Sequence, residues 1–477
     1  MTHRQVLQAM SGLLLGMFVA ILSSTVVSTS LPRIVNDLGG SQSTYTWVVT
    51  STLLALTVST PVWGKLADLY DRKRLVQAGI TIYVLGSMLA GLAQSSAWLI
   101  ACRVIQGLGV GGLTALVQVI LSDLVSPRER GRYSGYLGAV FGLGTVAGPL
   151  LGGLITDSIG WRWCFYVNVP FAIAALVLLQ RTLHLPRVRR EVSLDFAGAG
   201  LIAGGISSLL IWVSLAGHQF DWLNWETPAL IALGLALLIG AWFAERHARE
   251  PIIPLHLLRE RTVVLSVLAS IAVGVALFGT TVFLTQYMQI ARGKTPTESG
   301  LLTIPMVVGL FAASTLGGRF VTRSGHYKKL MLTGAGSLTA GLALMGTMDE
   351  TTSLLELAVF MLAVGTGLGM LMQNLVLVVQ NAVSRSEVGA ASSLVAFSRS
   401  MGGAIGVSAL GAVLSAHVGR ATGAAAMHAY GTGIGELFLL AAPLGLVVIL
   451  TVALLRENPL GGRSGIELAR RESAVAA

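Results

Sequence analysis

Long apolar runs separated by short polar breaks dominate this chain, and their lengths predict its elements. Fourteen runs approach the roughly 20 residues that a helix needs to cross about 30 Å of hydrocarbon. The first six cover 9–31, 45–66, 75–93, 98–121, 133–156 and 165–183; two follow a charged break, at 196–216 and 228–243; the last six cover 263–287, 300–320, 330–348, 354–379, 392–414 and 434–455. The pattern predicts an all-α integral membrane protein in a 6+2+6 plan. Residues 1–184 form an N-terminal six-helix lobe, 185–261 an inserted helix pair with its flanking loops, 262–456 a C-terminal six-helix lobe, and 457–477 a cytoplasmic tail mixing Gly, Ser, Glu and Arg. An even number of crossings puts both termini on one side.

Composition agrees with that reading and charge orients it. Of 477 residues 54% are hydrophobic and only 11% charged, with a mean hydropathy of +0.75, far from the roughly 25% charge of a soluble domain. The net charge of +10 would suggest a nucleic-acid partner in a soluble chain. Here the basic residues sit in short loops, where the positive-inside rule accounts for them, and no nucleic acid is implied. Assigning the N-terminus and alternate loops to the cytoplasm collects 25 of the 32 Lys and Arg. The opposite loops hold Arg33, Arg162, Arg292, Lys294 and Arg420, while Arg103 and Arg399 lie inside helices. Both termini are therefore expected in the cytoplasm, with the chain multi-pass in the plasma membrane. Trp47, Trp98, Trp161, Trp163, Trp222 and Trp225 fall at the predicted outer ends, as an interfacial belt would. Cys102 and Cys164 are too few for a disulfide framework or a metal site. The first apolar run is too long for the core of a cleavable signal, so none is expected.

The most distinctive polar break is Gly64-Lys65-Leu66-Ala67-Asp68-Leu69-Tyr70-Asp71-Arg72-Lys73-Arg74, a charged turn between the second and third runs. So short a connector forces a hairpin, and a pair between Asp68 and an arginine at the water interface would latch neighbouring helices in one state only. This stretch resembles the loop between the second and third helices of the major facilitator superfamily, Gly-x-Leu-Ala-Asp-x-x-Gly-Arg-Lys-x. Gly64, Leu66, Ala67, Asp68, Arg72 and Lys73 match; Asp71 replaces the second glycine. A weaker echo follows at 318–328, where Gly318 aligns with Gly64, Gly325 with Asp71, His326 with Arg72 and Lys328 with Arg74, but Thr322 stands at the place of Asp68. The repeat and the helix count are similar to the fourteen-helix drug:proton antiporter branch of the superfamily, known as DHA2, over essentially the whole chain. Gly64, Asp68, Arg72, Lys73 and Arg74 are the expected gating loop.

Three helices carry further signals. The first contains Ser23, Ser24, Thr25, Ser28, Thr29 and Ser30, either a packing face or a substrate-facing wall. Leu22, Thr25, Leu31 and Pro32 match a family pattern here, yet Ser23 stands where relatives often have an intramembrane aspartate that carries the proton or a cationic drug. In the fourth, Arg103, Gln106 and Gly107 match the family's Arg-x-x-Gln-Gly. A buried arginine costs about 2.5–3.5 kcal/mol on insertion scales, so Arg103 should face a polar partner unless it snorkels to the nearby helix end. The Gly107–Gly112 run also fits a dinucleotide-binding pattern, excluded because no strand precedes it. In the fifth, Gly144, Gly148 and Gly152 recur every four residues and share one face, which admits a neighbouring helix closely. Together with Pro149 and Gly153 they match the family's antiporter motif, which implies exchange; close packing alone would also account for the glycines. Gly402 and Gly406 make a similar face beside Arg399.

The acids set the coupling problem. Asp68, Asp123, Asp157, Asp195, Glu298 and Glu356 all lie near predicted helix ends, and no histidine sits at mid-membrane. Either a peripheral acid such as Asp123 or Asp157 handles the proton, with Arg103 as electrostatic partner, or the coupling differs from that of relatives; the absence of a central negative charge favours neutral, zwitterionic or weakly basic lipophilic substrates. Candidate cavity residues are Ser23, Thr25, Gln118, Phe141, Gln286, Tyr287, Gln289, Gln373, Asn374, Phe397 and Arg399, with Gln373-Asn374 the strongest pair; each amide alone also fits an interhelical bond. No Walker-type loop and no His-Glu or Cys-His cluster is present, so neither ATP hydrolysis nor another enzyme activity is indicated. The expected function is proton-driven multidrug export by a monomer without cofactors, with a dedicated exporter of one endogenous metabolite, antibiotic or lipid as the alternative.

Overall fold

The structure is a computed structural model that describes residues 3–39, 42–183, 196–215, 224–247, 255–384, 387–418, 424–458 and 460. Trp222, Arg420 and the tail 461–477 lie outside the described residues, as do the side chains of Pro32, Pro149 and Asp157. The first half contains α1 (His3–Asp37), α2 (Gln42–Leu69), α3 (Arg72–Gly91), α4 (Ser96–Leu124), α5 (Pro127–Ser158), and the short α6 (Trp163–Tyr166) running into α7 (Asn168–Thr182). Next come α8 (Phe196–Leu215) and α9 (Glu226–His247). The second half contains α10 (Arg261–Gln286), which continues through a π-helical turn at Tyr287–Ala291, then α11 (Pro296–Leu302), α12 (Ile304–Ser324), α13 (Lys328–Met345), α14 (Leu354–Ala382), α15 (Val388–Val418) and α16 (Ala424–Leu454).

Helices thus occupy all fourteen predicted positions. Among the described residues twelve spans are long and apolar enough to cross a membrane; α8, apolar over Ala197–Val213, and α13, with 18 residues, fall below that measure. The paired lysines Lys328 and Lys329 that open α13 make it too polar for that measure, and with α8 it accounts for the difference from the fourteen predicted crossings.

Polar residues at the run boundaries set the helix ends. The Asp71 side chain accepts from the Lys73 N–H at 3.0 Å and so starts α3, while Ser95 caps α4. Asp71 itself holds φ −61°, so this turn needs no glycine where the family pattern has one. Glu298 and Glu356, two of the acids near helix ends, are engaged in capping boxes with Thr295 and Ser353.

Packing follows the two halves. In the first, α1 lies against α5, α7 and α4, and α4 against α2 and α3; in the second, α14 lies against α12 and α13, and α10 against α15 and α16. The halves meet where α2 packs on α15 and α5 on α12, with α4 also reaching α15. Helices α8 and α9 pack on each other, the Ser208 hydroxyl donating to the Leu230 carbonyl at 2.8 Å, and α8 leans on α2 and α15. Ile202, Ile206 and Leu210 join the apolar core of the second half.

A lysine in each of the two echoing hairpins plays the same part, although Lys328 aligns with Arg74 and not with Lys73. Lys73 Nζ donates to the Gln180 carbonyl near the end of α7, and Lys328 Nζ donates to the carbonyls of Ala453 and Leu455 at the end of α16. Each lysine satisfies carbonyls that a helix C-terminus leaves open, in the last helix of its own half.

Candidate functional site

The C-terminal end of α2 meets the N-terminal end of α15 across the boundary between the halves. The first turn of a helix presents N–H groups without intrahelical acceptors and a partial positive charge. Asp68 supplies both needs: its two carboxylate oxygens accept from the N–H groups of Gly389 and Ala390, each at 2.9 Å, and the residue is 8% exposed. The approach depends on glycine. A Cβ on Gly64 would lie 2.1 Å from Ser393 Oγ and 2.8 Å from the Gly389 carbonyl, and one on Gly389 would lie 2.4 Å from Asp68 Oδ1.

Arg72 completes this junction. Its Nη2 stands 4.0 Å from Asp68, its Nη1 pairs with Asp123 of α4, and its Nε donates to the Ala67 carbonyl at 2.9 Å. Asp68 thus has the predicted arginine nearby, but its closest partners are backbone N–H groups of the opposite half. Lys73 and Arg74 do not join them: Lys73 reaches Gln180, and Arg74, largely exposed, lies 4.0 Å from Asp71. In the second repeat the corresponding loop is held within its own half, where the Glu457 carboxylate accepts from the N–H groups of Tyr327 and Lys328.

Asp123 and Arg103 do not form the expected pair. Both are on α4, twenty residues or about 30 Å apart, and Asp123 belongs to the Arg72 junction. Arg103 is 4% exposed, donates from Nη1 to Gln106 Oε1 at 3.0 Å and from Nε to the Val48 carbonyl at 3.3 Å, and Gln106 in turn donates to Ser87 at 2.7 Å. The Tyr83 hydroxyl faces Ser23 and Ser87 beside this chain. Ser23 therefore borders the polar cluster of Arg103 at the position where relatives often place an acid. No snorkelling is needed, since neutral partners surround the guanidinium inside the helix bundle.

The glycine face of α5 is turned to α1. A Cβ on Gly144 would lie 2.7 Å from Ile21 Cγ2, one on Gly148 2.0 Å from Thr25 Oγ1, and one on Gly152 2.8 Å from the Val26 carbonyl. Thr25 uses this closeness to donate to the Gly144 carbonyl at 3.0 Å, so it binds α1 to α5 instead of lining an open wall. Gly153 lies on another face, where a Cβ would come 3.2 Å from Thr297 Oγ1. Gly148→Val is expected to force α1 and α5 apart and lower the thermal stability of the detergent-solubilised protein by several degrees; an unchanged melting curve would mean that the contact is not a tight one.

The remaining candidates divide into interface and core. Gln118 Nε2 donates to Gln373 Oε1 at 3.0 Å, joining α4 to α14 across the halves, and Gln380 extends the bridge by donating to the Gln118 carbonyl at 3.3 Å and to Ser392 at 2.8 Å. Phe141 of α5, half-buried, packs on the core of the second half. Gln289 is half-buried in the π-helical turn, and Gln286 has a buried side-chain oxygen without a hydrogen-bond partner. Tyr287 is fully buried with its hydroxyl donating to the Asp349 carbonyl at 2.6 Å, Phe397 is a core residue, and Asn374 donates back to Met370 of its own helix at 2.6 Å. These three serve packing and loop anchoring. Gln380, Ser393 and the Gly389-Ala390 N–H pair are the participants that the sequence pattern misses. Among the described residues no group of three or more His, Cys, Asp or Glu is placed to hold a metal.

The chain matches the profile of the Major Facilitator Superfamily over residues 13–407 and again over 267–475. It is 35% identical over 410 residues to the multidrug transporter protein MdtP of Bacillus subtilis (strain 168), covering 86% of this chain and 75% of that protein. It is equally 35% identical over 402 residues to multidrug resistance protein 3 of the same organism, covering 84% and 78%. Efflux pump FUS6 of Gibberella fujikuroi is 32% identical over 413 residues, 85% of this chain and 74% of the pump. In three dimensions the fold is shared with the human organic anion transporter MFSD10 (TETRAN), with a TM-score of 0.66 at 15% identity over 94% of this chain and 99% of that one. With its all-helical membrane fold, its paired halves and these relatives, the chain belongs to the major facilitator superfamily, as a transporter and not an enzyme.

Proposed function

We propose that this transporter exports lipophilic small molecules in exchange for protons, by alternating access of its two halves, in the plasma membrane with both termini cytoplasmic. The observation that carries the reading is the Asp68 carboxylate bound to the N–H groups of Gly389 and Ala390, because that contact joins the two halves through a few hydrogen bonds at one end of the bundle. It is a two-state element of the kind that alternating access requires: made when that end is closed, broken when it opens. Arg72 couples it to Asp123, so a change in the charge of either acid biases the same closure. The names of the bacterial and fungal relatives support export and chemically varied cargo. The division at residues 1–184, 185–261 and 262–456 suits this motion, with α8 and α13 completing fourteen crossings and a monomer sufficing. Asp123 and Asp157 are the proposed proton-handling acids. Neutral, zwitterionic or weakly basic compounds are the proposed cargo, because no acid stands at mid-membrane among the described residues.

The test is uptake of a fluorescent amphiphile into everted vesicles under an imposed pH gradient, repeated after uncoupler. Uptake is expected to collapse with the gradient; persistence at the coupled rate would overturn proton exchange. A panel of toxic compounds in a pump-deficient host then separates multidrug export from dedicated export, since protection limited to one scaffold would select the latter.

A further inference from the structure

Among the described residues Arg399 takes part in no salt bridge and makes one hydrogen bond. It is the twelfth residue of α15, about 17 Å from the latch end of that helix and so near the middle of a roughly 30 Å hydrocarbon layer. A guanidinium has five N–H donors and stays charged at physiological pH, so at this depth it needs acceptors or a counter-ion. The only hydrogen bond it makes among the described residues is from Nη1 to the Met372 carbonyl of α14, at 3.4 Å, and no carboxylate pairs with it. Four acids of the bundle are engaged elsewhere: Asp68 on the start of α15, Asp123 on Arg72, Glu298 and Glu356 in their capping boxes.

Arg103 is deeply buried, with one nitrogen on Gln106 and another on a backbone carbonyl. Arg399 is only half-buried, so part of its surface stays open to whatever occupies the space beside it. Its one acceptor lies next in sequence to Gln373, whose amide meets Gln118 across the halves. The guanidinium therefore stands against α14 at the level of the amide bridge between the lobes. Alternating access exposes that level to each side of the membrane in turn.

We propose that Arg399 binds the acidic group of an anionic or zwitterionic lipophilic substrate, a carboxylate or sulfonate carried on an apolar body. This rests on the export reading above and narrows it: of the neutral, zwitterionic and weakly basic compounds, the zwitterions are favoured, and organic acids are added. A planar fork with unused donors suits two-point recognition of a carboxylate. Flanking amides and apolar side chains suit the remainder of an amphiphile.

The experiment uses three probes with one pyrene body: 1-pyrenebutyrate, its methyl ester, and a trimethylammonium analogue. Binding to the purified full-length protein in detergent is read by fluorescence, and uptake into everted vesicles is read separately. Wild type is expected to bind the carboxylate at least about tenfold more tightly than the ester, the order of one charge-assisted pair. Arg399→Gln is expected to reduce that ratio to about one, and Arg399→Lys, which keeps the charge without the fork, to hold an intermediate ratio. Equal binding of ester and carboxylate by wild type would overturn the proposal. So would an Arg399→Gln variant that loses affinity for both probes alike, or an Arg399→Lys variant with a well-formed fold and no carboxylate preference. Uptake of the ester or ammonium probe without carboxylate preference would overturn the anion site and leave export standing. Arg399-dependent carboxylate binding with no uptake of any probe would uphold the site and overturn export.

Discussion

Asp68→Asn is expected to reduce transport in everted vesicles by at least about tenfold while leaving membrane insertion and the yield of purified protein unchanged. The wild-type carboxylate offers two equivalent oxygens to two N–H groups that converge on it from α15. An amide offers one oxygen and one NH2, so one of the two N–H groups loses its acceptor and meets a donor. The negative charge that complements the helix N-terminus and Arg72 disappears as well. Hydrogen bonds to charged groups contribute about 1.5–3 kcal/mol each, and loss of one plus weakening of the other shifts the closed state by about 3 kcal/mol, or roughly a hundredfold in population. A cycle that must pass through that state slows accordingly. Asp68→Glu should not restore the rate, because both oxygens already sit at hydrogen-bond distance, 2.9 Å, from the N–H groups of Gly389 and Ala390, and an extra methylene would push the carboxylate past them. Transport at the wild-type rate in Asp68→Asn would remove the latch from the mechanism.

Some of this junction was legible in the sequence and some was not, for reasons that differ by residue. Apolar runs betray helices because burial in lipid demands continuous hydrophobicity, and glycines at 144, 148 and 152 betray a contact face because the helical period brings them together. Neither pattern names the partner. The face turned out to meet Thr25 and Ile21, and the hydroxyl-rich run of α1 is thereby explained as packing at Thr25. The latch acid could be singled out from its charged hairpin, but its ligands are backbone N–H groups 321 and 322 residues away. Backbone donors carry no side-chain signature, so only the fold reveals them. Tyr287, Asn374 and Phe397 illustrate a second limit: a polar or aromatic residue inside an apolar helix does not disclose which way it faces, and these three face the core or their own helix. The Arg103–Asp123 pairing is different again, because twenty residues on one helix already exclude it by length.

Gly64→Val tests the same closure from the side of shape instead of charge. In the closed arrangement the glycine sits against Ser393 and the Gly389 backbone, where a Cβ would come within 2.1 Å and 2.8 Å of oxygen atoms. A side chain cannot be accommodated by moving Ser393 alone, since the second contact is backbone. Those contacts belong to the opposite half, so the clash exists only while the halves are together at this end. The valine should therefore leave each half folded and penalise one state of the cycle, unlike Gly148→Val, whose clash with α1 lies within one half and persists throughout. Two readouts separate the cases. In a chain with Cys102 and Cys164 replaced, a single cysteine at Ser392, buried beside Gln380 at the start of α15, is expected to react with an aqueous maleimide about five- to a hundredfold faster when Gly64 is valine, because closure is disfavoured by an overpacking cost of about 1–3 kcal/mol. The melting temperature should stay within a few degrees of the parent. Unchanged reactivity at Ser392 would mean that the junction of α2 and α15 does not open during the cycle, and that the halves part somewhere else.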